Sequence, residues 1–157
     1  MTYEYAPEIG GSPTALFRDS QKRFNPANIG VVQAPKIRVL AVDHNTLLRD
    51  GLSLLIQSHT DMELVDAVAS AKEAVASFAR HRPAVTLMDL DLPDASGIIA
   101  IREIRKLAPA ACILGLFTHD WENLCNQALQ AGARRCLAKE RLNAELAAAI
   151  RECSLST

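Results

Sequence analysis

Two aspartates and a lysine are spaced so that a fold could bring them together for phosphoryl chemistry. Asp43, Asp89 and Lys139 each follow a short apolar run. Carboxylates supply the oxygen ligands that Mg²⁺ prefers, and a lysine pairs with a phosphate as a point charge. A carboxylate can also accept a phosphoryl group covalently. Because neither GxxxxGK[ST] nor GxGxxG occurs in the chain, no glycine-rich phosphate loop competes with this interpretation.

From Lys36 onward, short apolar runs alternate with amphipathic stretches. The predicted strands are Ile37–Val42, Glu63–Val68, Ala84–Met88, Cys112–Phe117 and Arg134–Leu137. The predicted helices are Thr46–Ser58, Ala71–His81, Gly97–Leu107, Trp121–Ala131 and Arg141–Cys153. This alternation predicts a doubly wound α/β fold, with a five-stranded parallel sheet in the order 2-1-3-4-5. Since the carboxyl ends of parallel strands share one edge, we expect Asp43, Asp89 and Lys139 to cluster there.

Composition and charge exclude several classes of protein. The chain has 157 residues, 49% of them hydrophobic, and a net charge of -1. These values predict one soluble domain and argue against direct nucleic-acid binding. No apolar run approaches the roughly 18 to 20 residues of a membrane span, so we expect a protein without membrane contact. The four cysteines form no CxxC pair and the N-terminus shows no secretory pattern, which predicts reduced thiols in the cytoplasm, with Cys112 and Cys136 as small buried hydrophobes.

Residues 1–35 have a different texture, because proline and glycine punctuate them and no long periodicity develops. We predict a flexible N-terminal extension, with one short helical pattern at Thr14–Phe24, followed by a domain over residues 36–157. A docking segment that uses Leu16, Phe17 and Phe24 is the open alternative.

Several motifs of the second part of the chain coincide with those of a known family. They are Ile37–Asn45, Leu48–Leu52, Leu87–Gly97, Ala128–Ala133 and Lys139. Together they resemble the receiver domain of bacterial two-component response regulators, especially the branch whose receivers precede a helix-turn-helix output domain. The resemblance covers residues 36 to about 153 and implies the flavodoxin-like receiver fold.

The resemblance also implies roles for individual residues. Asp89 takes the phosphoacceptor position, and Lys139 takes the position that pairs with the phosphate. Asp43 and Asp89, with the backbone carbonyl of Asp91, take the positions that bind Mg²⁺. The implied partners are a histidine kinase and a downstream target, or a second copy, on the face between the fourth and fifth helices. Trp121 opens that fourth helix as either a packing anchor or an interface residue.

Three positions depart from the family pattern. The second acidic position is His44, which is either a solvated loop residue or an additional metal ligand. The hydroxyl position after the fourth strand is Phe117, or Thr118 if the count slips by one residue. The switch aromatic of the fifth strand is Cys136. Because imidazole suits Zn, Cu or Ni better than Mg²⁺, we expect weak magnesium binding and a weakened switch.

Three functions are therefore weighed. The first is a response regulator that accepts a phosphoryl group at Asp89 and acts by protein contact, without turnover. The second is a pseudo-receiver that works only as an interaction or dimerisation module and never uses Asp89. The third is a small flavodoxin-like enzyme, which the absence of a Ser/Thr/Gly-rich loop after the first strand disfavours. The chain stops after the fifth helix, which leaves open a stand-alone regulator or a piece of a longer one.

Overall fold

A computed structural model describes Gly30, residues 32–119 and residues 121–156, without the side chain of Trp121. The chain divides into two units after Gln33, and the second unit, Ala34–Thr157, is compact. The predictions on Leu16, Phe17, Phe24 and most of the N-terminal extension lie outside the described residues. Among the described residues, no helix is long and apolar enough to cross a membrane.

The second unit alternates strands and helices, as the apolar pattern predicts. Its strands are β1 (Ile37–Val42), β2 (Met62–Val68), β3 (Val85–Asp89), β4 (Cys112–Phe117) and β5 (Arg135–Ala138). Its helices are α1 (Thr46–Gln57), α2 (Ala71–His81), α3 (Gly97–Leu107), α4 (Trp121–Ala131) and α5 (Leu142–Ser154). The predicted bounds are confirmed to within one residue for every element.

The five strands form one parallel sheet in the order β2-β1-β3-β4-β5. The predicted order 2-1-3-4-5 is therefore confirmed. The chain reverses its direction of winding between β1 and β3, the switch point beyond which ligands bind in open α/β sheets. The carboxyl ends of β1, β3 and β5 then carry Asp43, Asp89 and Lys139.

Side chains that alternate along the strands build a core on each face of the sheet. In β1, Val39 contributes to one cluster and Leu40 to the other, and both are fully buried. Helices α1 and α5 cover the first cluster, where Ile56 and Ile150 lie. Helices α2, α3 and α4 cover the second, which includes Ile101. Apolar stripes at helical spacing thus account for the covering of both faces.

The prediction of reduced thiols is wrong for two of the four cysteines. Cys112 at the start of β4 and Cys153 near the end of α5 form a disulfide, with their Cα atoms 5.9 Å apart. Both are buried in the cluster that α1 and α5 cover. Cys125 and Cys136 are free thiols. The pair is 41 residues apart in sequence, so only the packing of α5 against β4 brings the two sulfurs together.

We expect the intact mass after alkylation to distinguish the two free cysteines from the two cysteines of the disulfide. Alkylation of the unfolded, unreduced protein should add two alkyl groups, and prior reduction should raise the number to four. Cys112→Ser should release Cys153 and give three alkyl groups without reductant. Four alkyl groups on the unreduced protein would contradict the disulfide.

Candidate functional site

The β1–α1 loop positions Asp43 by several backbone hydrogen bonds. The Asp43 N–H donates to the Val68 carbonyl of β2 at 3.1 Å, and Asp43 Oδ1 accepts from the Asn45 N–H at 2.8 Å. Arg49 Nη1 donates to the Asp43 carbonyl at 2.7 Å. Asn45 then begins α1 by accepting from the Leu48 N–H. The Asp43 carboxylate is fully buried and held in one place.

Asp89 is the last residue of β3, a strand in which every side chain is buried. Its Oδ1 accepts a hydrogen bond from the Asp91 N–H at 3.0 Å. The start of α3 packs closely against the Asp89 backbone. A side chain at Gly97 would overlap the Asp89 carbonyl oxygen. The strand end, the loop and the helix together orient the Asp89 carboxylate.

Lys139 links the two carboxylates. Its Nζ lies 2.7 Å from Asp43 Oδ2 and 3.0 Å from Asp89 Oδ1. Lys139 directly follows β5 and opens a 3-10 turn, Lys139–Arg141, which delays the start of α5 to Leu142. Burial lowers the pKa of Lys139, but the hydrogen bonds to Asp43 and Asp89 outweigh it and hold that pKa above its ordinary value. The predicted cluster of these three residues is thus present in the structure, with the lysine charged.

His44 contacts the carboxylate that the resemblance assigns as phosphoacceptor. Its Nδ1 lies 2.9 Å from Asp89 Oδ2, while about half of its side chain is exposed. An Nδ1–H at this distance donates to the carboxylate. With Lys139 and the Asp91 N–H on Oδ1, both oxygens of Asp89 have a partner. His44 is therefore part of the site and not an isolated loop residue.

A cavity of about 210 Å³ opens beside the cluster. Phe117, the last residue of β4, and the exposed Thr118 both line it. Phe117 pairs in register with Ala138, directly before Lys139, and packs against the core. Asp91 is exposed and lines the same cavity. The structure therefore brings both candidates for the hydroxyl position to the site.

Cys136 lies in β5, three residues before Lys139. It pairs with Gly115, and its sulfur lies 3.8 Å from the Cys125 carbonyl oxygen in α4. Burial raises the pKa of the Cys136 thiol, and a hydrogen bond with the Cys125 side chain raises it further. The thiol therefore stays protonated at neutral pH and is a poor nucleophile. The expectation of a small buried hydrophobe is therefore met only in part, because Cys136 is only partly buried.

Comparison with known proteins identifies the family of this site. The model described as "Response regulator receiver domain" matches residues 39–151. The chain belongs to this family. The match spans Asp43, Asp89, Lys139 and all five strands except the start of β1, so the family match and the side-chain cluster lie in the same part of the chain.

Curated relatives and a solved structure place this receiver among two-component regulators. It is 37% identical over 105 residues to protein-glutamate methylesterase/protein-glutamine glutaminase 1 of Vibrio cholerae, covering 66% of this chain and 28% of that protein. It is 35% identical over 116 residues to the transcriptional regulatory protein YxjL of Bacillus subtilis, covering 74% of this chain and 53% of that protein. A LuxR-family response regulator of Aurantimonas matches with a TM-score of 0.73 and 32% identity, over 76% of this chain and 86% of that one. The receiver thus spans about half or less of these curated relatives.

Sequence reasoning missed Arg49 as part of the receiver site. Arg49 Nη1 donates to the Asp43 carbonyl at 2.7 Å and to the His44 carbonyl at 3.1 Å, and Nη2 donates to Thr46 Oγ1. The side chain thereby fixes the loop that carries both site residues. Its position in the first turn of α1, five residues after His44, is the signal that could have found it, because an arginine there can reach back to the preceding loop.

Proposed function

We propose that this receiver accepts a phosphoryl group at Asp89 from a histidine kinase, with weakened magnesium-dependent control. The observation that carries the proposal is the buried Asp89 carboxylate, with Lys139 Nζ 3.0 Å from its Oδ1. A carboxylate in this position is a nucleophile, and the ammonium is placed to pair with the incoming phosphate. The chain acts by contact in the cytoplasm, without turnover of a substrate.

The proposed step transfers one phosphoryl group. An Asp89 oxygen attacks phosphorus and forms an O–P bond, while the P–N bond of the kinase's phosphohistidine breaks and the leaving imidazole takes up a proton. Lys139 Nζ neutralises part of the added charge, which is roughly -1.5 to -2 for a phosphoryl group. His44 must turn away from Asp89 Oδ2 if that oxygen is to react, because its ring covers it at 2.9 Å.

The site fits Mg²⁺ only in part. The carboxylates of Asp43 and Asp89 and the Asp91 carbonyl would hold the ion, which would neutralise phosphate charge when bound. His44 offers a nitrogen where a further oxygen would suit Mg²⁺. One ammonium against two carboxylates also leaves only one net negative charge to attract the ion. We therefore propose weak magnesium binding.

Phosphoryl transfer to Asp89 can be tested by intact mass. Incubation of the protein with a small phosphodonor and Mg²⁺ should add the mass of one phosphoryl group, because the buried carboxylate and Lys139 form the acceptor site. Asp89→Asn should abolish the adduct, since an amide is not the nucleophile required. Asp91→Asn, at the exposed neighbouring carboxylate, should retain it. An adduct that survives Asp89→Asn would contradict the assignment.

If the switch is weakened by His44 and Phe117, restoring the family's residue types at both positions should improve Mg²⁺ binding and phosphorylation. His44→Asp with Phe117→Thr should raise the affinity for Mg²⁺ and the rate of phosphorylation about tenfold or more, because it adds an anionic oxygen ligand and a hydroxyl for the phosphate. Magnesium titration and the rate of adduct formation measure the two effects. The claim fails if the unchanged protein already binds Mg²⁺ as tightly as this variant and changes its oligomeric state on phosphorylation.

A phosphorylation-independent pseudo-receiver is the second candidate. The observation that favours it is that His44, Lys139 and the Asp91 N–H occupy both oxygens of Asp89. In this function the face formed by α4, β5 and α5 binds a partner or a second copy whether or not Asp89 is modified. The pseudo-receiver is favoured if the unchanged protein forms no phosphoryl adduct and if Asp89→Asn leaves partner binding and oligomeric state unchanged.

A further inference from the structure

An imidazole and two carboxylates converge on one point at the edge of the sheet. Asp43, His44 and Asp89 each offer one ligand atom, and these atoms lie within 4.8 Å of one another. We propose that this site selects a borderline divalent transition metal, of the Zn²⁺, Co²⁺ or Ni²⁺ class, over Mg²⁺. The inference deepens the proposed function and rests on it, because the ion would serve the same Asp89 carboxylate.

The donor set carries this selectivity. Mg²⁺ demands octahedral oxygen ligands and dehydrates reluctantly, whereas imidazole suits Zn, Cu, Fe and Ni. Two carboxylates with one imidazole resemble the mixed nitrogen and oxygen sets in which late first-row ions gain affinity. His44 therefore adds binding energy for those ions and little for Mg²⁺.

The charge of Lys139 also favours a transition metal over Mg²⁺. Lys139 Nζ lies within 3.0 Å of both carboxylates, which leaves one net negative charge among the three groups. A hard ion that relies on charge attraction loses most from this partial neutralisation. An ion that also gains from a nitrogen ligand loses less.

Hydrogen bonds within the β1–α1 loop preorganise the His44 imidazole for metal binding. Arg49 donates to the carbonyl oxygens of Asp43 and His44, and Asn45 caps the helix that follows. His44 Nδ1 already points at the fully buried Asp89 carboxylate. The cavity of about 210 Å³ that His44 lines has room for the waters that complete a coordination shell. For the three donors to share an ion, His44 Nδ1 exchanges its hydrogen bond to Asp89 for the metal, and the ring proton resides on Nε2.

The test titrates the full chain separately with Co²⁺ and Mg²⁺. Co²⁺ binding is followed by its visible absorption and Mg²⁺ binding by calorimetry. We expect Co²⁺ to bind more tightly, and His44→Asp to reduce the ratio of the two affinities about tenfold or more, by weakening Co²⁺ and strengthening Mg²⁺. His44→Ala should weaken Co²⁺ binding while leaving Mg²⁺ binding almost unchanged, and it serves as a second variant if His44→Asp folds poorly.

Two controls separate this site from other donors. His81 also lies near a carboxylate, with Nε2 3.7 Å from Asp66 Oδ2, so His81→Asn should leave the ratio unchanged. Cys125→Ser should do the same and exclude a thiolate site. The inference is overturned if the ratio of Co²⁺ to Mg²⁺ affinity is unchanged in both His44→Asp and His44→Ala. It is also overturned if this ratio falls in either control variant. A phosphoryl adduct without His44-dependent selectivity overturns the inference alone, whereas selectivity without an adduct overturns only the proposed function.

Discussion

Lys139→Met is expected to lower the free energy of unfolding by about 3 to 5 kcal/mol, because it leaves two buried carboxylates without their counter-charge. Asp43 and Asp89 are fully buried, and Lys139 Nζ lies 2.7 Å and 3.0 Å from their oxygens. Urea denaturation at neutral pH measures the difference. Lys106→Met is the matched control, since the exposed Lys106–Glu103 pair is worth about 0 to 1 kcal/mol. Equal midpoints for the two variants would contradict the prediction.

The same variant has an expected pH dependence. The raised pKa of Lys139 means that its stabilising contribution is complete below its ordinary value of 10.5 and is lost as the pH rises through the folded-state pKa. The stability difference between the wild type and Lys139→Met should therefore shrink at strongly alkaline pH. Denaturation midpoints at neutral and at increasingly alkaline pH test this dependence.

Gly97→Ala is expected to destabilise the domain by about 3 kcal/mol or more, because the added methyl group overlaps backbone atoms that cannot move independently. A Cβ atom at Gly97 would overlap the Asp89 carbonyl oxygen and lie 2.9 Å from the Leu90 Cα. Relief of this clash must push α3 away from the end of β3, the strand that carries Asp89, the proposed phosphoacceptor. Thermal and urea unfolding measure the loss of stability, and the phosphoryl adduct at Asp89 should decrease with it.

Gly51→Ala provides the matched control for this effect. Gly51 lies within α1, and a Cβ atom there meets nothing within 4 Å. Alanine in a helix interior is more favourable than glycine by about 1 kcal/mol, so this variant should be more stable than the wild type. A similar change in stability for the two variants would refute the role of close backbone approach at Gly97.

The fold followed from local patterns in the chain. The apolar run Ile37–Val42 and its counterparts alternate with amphipathic helices, and right-handed crossovers permit few arrangements of such elements. The same reasoning located Asp43, Asp89 and Lys139, because parallel strands bring their carboxyl ends to one edge. These features depend on periodicity and chain direction, both of which can be read from the sequence.

Contacts between distant segments were decided only by the tertiary structure. The sequence placed His44 beside Asp43, but only the packing of β1 against β3 sets its Nδ1 2.9 Å from Asp89 Oδ2. The disulfide between Cys112 and Cys153 depends likewise on how α5 lies across β4. The approach of Gly97 to the Asp89 carbonyl depends on the angle at which α3 leaves the loop. Residue type and spacing specify which elements form, whereas angles and separations of a few ångströms arise only when side chains from all of them pack at once.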